Sequence, residues 1–118
     1  MAGLVDAGKH LMLNGFAGSV TFVSLHTADP STGGTSEVSA SPYTRESVSW
    51  ASAASGSVQN SAQIVFDVPG STTITHLGYW SASASGTFYG SRALDANQTF
   101  ATVGTYTIPT GNITESIT

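Results

Sequence analysis

The chain has no cysteine. A disulfide framework, a thiolate zinc site and a cysteine nucleophile are therefore excluded together. Charge is almost as scarce, at 8% of residues, where ordinary soluble domains carry about a quarter. Lys9, Arg45 and Arg92 are the only basic residues and the formal net charge is -4. That leaves no footprint for a phosphate backbone, so nucleic acid is not an expected partner. No stretch approaches the ~20 apolar residues needed to span a bilayer, and no membrane insertion is expected. The first residues lack a secretory pattern: Asp6 stands where a positive n-region belongs, and Gly8, Lys9 and His10 break the apolar run.

Hydroxyls take the place of charge. Ser and Thr make up about three residues in ten, and they hydrate strands and turns without the side-chain entropy that Lys and Glu bring. A hydrophobic content of 40% over 118 residues supports one core, and the whole chain, 1–118, is expected to form a single domain. From Val20 onward short β-branched and aromatic runs alternate with Ser/Gly/Asn/Asp turns, as in Ser61–Val68 and Thr72–Trp80. Period-two patterning of this kind predicts strands with one apolar face.

The expected fold is all-β: a jelly-roll-like antiparallel β-sandwich of about eight strands with a short N-terminal α-helix. The helix is expected over 3–15, with Leu4, Ala7 and Leu11 beside Val5 and Met12 as an apolar stripe, and Asn14-Gly15 as its C-cap. The sandwich is expected over 20–118. Thr27 to Pro42 reads as one long loop, of the kind that is functional, a contact element or mobile. Strands are expected at Val20–Leu25, Tyr43–Ala51, 57–60, 63–68, Thr72–Ser81, Thr87–Leu94, 101–108 and 112–117, with a turn at Asp95-Ala96-Asn97-Gln98.

Candidate chemistry is sparse. His10 lies four residues from Asp6, where an exposed helical ion pair explains it. His26 precedes Asp29 by three residues; a loop-anchoring hydrogen bond outweighs a metal site there. His76 falls on one strand face with Ile74, Gly78 and Trp80, either half-buried or at a pH-sensitive subunit contact. No serine stands in a Gly-x-Ser-x-Gly elbow, and no carboxylates are paired. Neither an enzyme nor a cofactor or metal is expected. In Tyr79-Trp80 and Phe88-Tyr89 neighbours point to opposite faces, so outward aromatics are interface candidates. Leu4, Leu11, Met12, His76, Tyr79, Trp80 and Tyr89 are thus expected at assembly contacts, and His26, Asp29, Glu37, Tyr43 and Arg45 at loop contacts.

Several segments carry a resemblance: Val23-Ser24-Leu25-His26-Thr27-Ala28-Asp29-Pro30, Ser36-Glu37-Val38-Ser39 with Tyr43-Thr44-Arg45, Asn60–Phe66, and Thr75-His76-Leu77-Gly78-Tyr79-Trp80 with Gly86–Gly90. In this order the chain resembles small tail-fibre-like or minor structural virion proteins of tailed bacteriophages. The resemblance implies a non-enzymatic module of jelly-roll type on the virion surface, in a capsid decoration or a tail fibre or tip, assembled in the host cytoplasm. The expected partners are further copies of the chain, with a trimer favoured, and the phage major capsid protein or tail proteins. The rival expectation is a carbohydrate-binding module that meets host-surface glycans through Trp80, Tyr89 and loop hydroxyls.

Overall fold

The computed structural model describes residues 4–116. Gly3 and Ile117, the expected first helical and last strand residues, lie outside them. Helix α1 spans Asp6–Ser19, four residues past the expected end. Phe16 explains the extension: its ring meets Trp50 edge-on at 5.3 Å and Tyr79 at 5.4 Å, and Leu13 is buried beside it. The Val20 N–H closes the last turn on the Phe16 carbonyl at 2.8 Å, so Asn14-Gly15 is helix interior and not a C-cap. The buried face is accordingly Leu13 and Phe16. The expected Leu4–Ala7–Leu11 stripe is overturned, and Leu11 stands 77% exposed. His10 does not pair with Asp6 either; its Nε2 accepts the Gly56 N–H at 3.2 Å and ties the helix to the 54–57 turn.

Eight strands follow among the described residues: β1 (Phe22–His26), β2 (Glu46–Ser47), β3 (Ser57–Gln59), β4 (Ile64–Val68), β5 (Thr72–Trp80), β6 (Phe88–Phe100), β7 (Gly104–Ile108) and β8 (Thr114–Ser116). All pair antiparallel, in a four-stranded sheet of order β2-β1-β5-β6 and two ribbons, β3-β8 and β4-β7. The pairing is thus one main sheet and two small ribbons where two comparable sheets were expected. Two further expectations are corrected. The Tyr43–Ala51 strand shrinks to the two residues of β2, because Tyr43, Arg45 and Trp50 turn their polar groups to Glu37 and to the Val20 carbonyl. The Asp95–Gln98 turn lies inside β6 as a bulge, and the chain reverses after Phe100 instead.

The core sits between the main sheet and the β4-β7 ribbon. Val23, Leu25, Ile74, Leu77 and Tyr79 come from the sheet; Ile64, Phe66, Val68 and Ile108 face them from the ribbon. β4 keeps strict alternation, with Ile64, Phe66 and Val68 buried and Val65 and Asp67 outward. At the β6 bulge alternation breaks on β5, so that Ile74 and Leu77 are both core residues and Ile74 leaves the face expected for it beside His76.

One polar residue holds the ribbons together. Asn60 is fully buried; its Nδ2 donates to the Ala62 and Pro109 carbonyls at 2.9 and 3.0 Å, and its Oδ1 accepts the Ile113 N–H at 3.0 Å. Both side-chain donors and the carbonyl oxygen are spent on backbone, which substitutes for ladder pairing where β3 leads towards β4 and β7 towards β8. Asn60→Ala leaves those groups without partners and is expected to cost about 2–4 kcal/mol. Urea denaturation checks this: the midpoint falls with the slope unchanged.

Candidate functional site

Four consecutive residues of β1, Val23 to His26, are buried, and so are Leu77 to Trp80 of β5 beside them. A strand alternates its side chains, so consecutive burial means that both faces of the sheet are covered here. The core covers Val23, Leu25, Leu77 and Tyr79. The opposite face carries Ser24, His26, Gly78 and Trp80, and the Thr27–Pro42 loop lies over it.

Ser24, His26 and Trp80 form one chain of hydrogen bonds beneath that loop. The Thr35 carbonyl lies 2.7 Å from His26 Nδ1, which must therefore carry the proton. Nε2 is then an acceptor and takes the Ser24 hydroxyl at 2.6 Å, while Trp80 Nε1–H donates to Ser24 Oγ at 2.7 Å. Gly78 makes room for the arrangement, since a Cβ there would fall within 2.5 Å of His26 Nε2. Burial pushes the His26 pKa below its ordinary 6.5, against the raising effect of the Thr35 carbonyl and Glu37. A second ring proton would also leave the Ser24 O–H without its acceptor.

Arg45 closes the cover from outside. Its guanidinium lies 3.7 Å from the centroid of the Trp80 ring, a desolvated cation–π contact. Nε and Nη2 grip the Glu37 carboxylate as a fork at 2.9 Å each, and Nη1 donates to the Ala82 and Ser85 carbonyls at 3.1 and 2.8 Å. Tyr43 donates to Glu37 Oε2 at 2.7 Å and accepts the Leu25 N–H at 3.1 Å. Burial would raise the Glu37 pKa; the Arg45 and Tyr43 hydrogen bonds outweigh it and hold the carboxyl below its ordinary 4.5. Burial, first, and the Glu37 hydrogen bond push the Tyr43 phenol up, so it remains a donor. Gly34, at φ 70°, lies against the Trp80 ring edge, where a Cβ would come within 2.7 Å.

Four of the five expected loop-contact residues, His26, Glu37, Tyr43 and Arg45, thus converge on one locked layer. Asp29 takes a local role, capping the Ser31 N–H at 2.8 Å in the loop's first turn. The assembly candidates divide. Tyr79 lies in the core with its hydroxyl donated to Glu115, and Trp80 is enclosed by the chain's own loop. His76 is half-buried, with Nδ1 2.8 Å from the Thr75 hydroxyl. Leu4 is half-buried, and Leu11, Met12 and Tyr89 are exposed. Tyr89 is the extra residue where Gly90 opposes Tyr79 and Phe88 opposes Trp80.

The Ser24–His26 pair has the spacing of a nucleophile and its base, but both residues are fully buried and the imidazole is oriented by a carbonyl. Such a pair has no access to a substrate, and no carboxylate is hydrogen-bonded to the imidazole to orient it. What the arrangement does chemically is fix a loop. Sequence reasoning missed Asn60, Phe16 and the partner of His10, each of which depends on a residue more than 30 positions away; no local spacing signals them.

Arg45→Ala removes the fork, the Trp80 cover and two carbonyl partners, and is expected to cost about 3–5 kcal/mol. Arg45→Lys recovers little of it, because an ammonium cannot fork or stack. Thermal denaturation of the two variants measures both. Stability also depends on pH with a definite sign. Unfolded His26 takes a proton near 6.5 that the folded residue refuses, so the stabilisation is full above pH 6.5 and declines as pH falls below it. The Glu37 contribution is present above 4.5 and is lost as pH falls through its lower folded value. Denaturation midpoints should be flat between pH 7 and 8 and fall progressively on acidification (~pH 6 downward), with the lowest part of the decline absent in Glu37→Gln.

A family model described as Podophage GP4 fiber I protein gp80 matches residues 13–116. The match starts inside α1 and takes in every described strand, the Thr27–Pro42 loop and the Arg45 anchor. No individual curated protein matches the chain. A fold held by loop anchoring and packing, matched over nearly its whole length by a virion fibre family, places the chain in that family: it belongs with the podophage GP4 fibre I proteins and has a structural role in a phage tail fibre.

Proposed function

We propose that the chain is a non-enzymatic module of a tailed-phage fibre on the virion surface, assembled in the host cytoplasm as a homo-oligomer, with a trimer the favoured order. The observation that carries this is the outward face of α1. Val5 at the N-cap, Leu11 and Met12 stand 72%, 77% and 46% exposed, while the helix is held to its own chain through the buried Leu13, through Phe16 and through the His10–Gly56 hydrogen bond. Large aliphatic side chains left exposed at the N-cap and along the first turns of a helix fit an association surface. Val65 and Tyr89 on the strands and Val103 in the β6–β7 turn add further exposed apolar area.

Copies of the chain and neighbouring tail proteins are the partners this surface fits. With so few charges, close approach between copies requires little desolvation of ionised groups. A fibre family favours the tail over a capsid decoration as the location. Three chains of 12.0 kDa give a particle of about 36 kDa. Light scattering on the eluting peak should report that mass at micromolar concentration, and the double change Leu11→Glu, Met12→Glu should return it to a single chain with its circular dichroism retained. A wild-type chain that elutes as a monomer sinks the proposal.

A further inference from the structure

The Thr27–Pro42 loop is tied down at its base and nearly free at its tip. The Thr27 N–H donates to the Ser36 carbonyl at 3.0 Å, the Val38 N–H donates to the Leu25 carbonyl at 2.9 Å, and His26 bridges Glu37. Beyond that base the tip folds on itself, with the Pro30 carbonyl accepting the Gly34 and Thr35 N–H groups at 3.1 and 3.2 Å. Among the described residues, one hydrogen bond runs from residues 28–35 to the sheet, that of His26 Nδ1–H with the Thr35 carbonyl. The remaining hold on the tip is packing: Pro30 is fully buried, and Gly34 rests against the rings of Trp80 and Phe88.

That single latch is built for a neutral ring. Neutral His26 donates once and accepts once, and both bonds are made. A second proton keeps the Thr35 bond, but it deprives the Ser24 O–H of its acceptor and puts a charge on a fully buried ring. The groups around the ring do not offset that charge. His76 stands directly across on β5, Arg45 lies over Trp80 on the same face, and β6 brings only the Phe88 ring, at 6.3 Å. Glu37 is the one carboxylate facing it, and Arg45 and Tyr43 already grip that group. Burial therefore prevails over Glu37 and the Thr35 carbonyl, and the ring takes its proton below the ordinary 6.5. Water can reach it from one side only. The core lies behind the sheet, so lifting the tip hydrates the imidazole at the cost of a few contacts, where unfolding would cost the whole core. Glu37, held below 4.5, stays ionised while His26 titrates, so the fork to Arg45 keeps the base of the loop closed.

We propose that residues 28–35 form a lid latched by neutral His26, and that protonation of this one imidazole lifts them from Trp80 and Phe88 while the main sheet and the Glu37–Arg45 fork stay in place. The switch belongs to a single chain, so it is read apart from oligomeric state. The two tryptophans are its reporters: Trp80 Nε1–H lies on Ser24 Oγ beneath the lid, and Trp50 Nε1–H lies on the Val20 carbonyl away from it. Hydrogen exchange of both indoles is followed in the isotope-labelled full chain at about pH 7.5 and about pH 5, corrected for intrinsic exchange rates. With an open-state pKa of 6.5, the open fraction rises by at most about thirtyfold over that interval. The expected result is that Trp80 loses about tenfold or more of its protection with Trp50 unchanged, at the midpoint of the His26 ring titration. His76→Gln should keep this step and His26→Gln should abolish it. If circular dichroism shows His26→Gln unfolded, the ring titration of the wild-type chain and the His76→Gln variant decide. The proposal is overturned if both indoles lose protection together, if neither does, if the Trp80 step and the His26 titration have different midpoints, if the step survives in folded His26→Gln, or if it vanishes in His76→Gln.

Discussion

Burial of the Ser24, His26 and Trp80 face of the main sheet is the constraint on which the rest depends. A sheet packed on one side by a core can leave its other side to water, and in this chain β1 and the end of β5 do not. Once the indole and imidazole are covered, every polar atom on them needs a partner from the protein, since an unpaired one costs about 1–3 kcal/mol. The run from Trp80 N–H through Ser24 and His26 to the Thr35 carbonyl satisfies each group once. No buried side-chain nitrogen or oxygen among the described residues is left without a partner.

That requirement turns a 16-residue polar segment into ordered structure. Loops of this length are entropically costly to fix, and the Thr27–Pro42 stretch offers little apolar surface to offset the cost. Order comes from outside the loop: Arg45 grips Glu37 with a fork, lies on Trp80 and reaches the Ala82 and Ser85 carbonyls. One side chain thereby joins the long loop, β5 and the turn before β6. Ionic pairs with little exposure contribute modestly to net stability, yet they select one geometry because the misplaced alternative strands a charge. The shape of this face is therefore set by a few directional contacts rather than by area.

The strands were largely legible in the sequence, and what failed did so for identifiable reasons. β4 reads directly because one face is wet and alternation is strict. Thr72 to Trp80 reads as a strand, but Trp80 reads as outward, since period two says which side a residue takes and nothing about whether a distant loop covers it. The helix end was misplaced because Asn14-Gly15 satisfies the rule for a C-cap, and the aromatic contacts of Phe16 with Trp50 and Tyr79 outweigh it. Asp95-Ala96-Asn97-Gln98 has turn chemistry and does leave the ladder, as an arch within one strand instead of a reversal. Four of the anchor residues were singled out by type; their convergence was not visible, because Arg45 meets carbonyls 37 and 40 positions away.

The two halves of the main sheet solve opposite problems. At the β1 and β5 end the outer face is sealed, and close approach is enforced by Gly78 and Gly34, neither of which has room for a side chain. At the β6 side the strand carries two register shifts, one leaving Tyr89 without a partner and exposed to solvent, the other leaving residues 94–97 without partners on β5. Bulges at a sheet edge discourage strand addition by other chains. A fibre module that assembles with copies of itself, as proposed, would benefit from that, because a flat thirteen-residue edge would invite open-ended pairing. In the oligomer proposed above, association then falls to side-chain contacts such as those on α1 and not to the irregular edge.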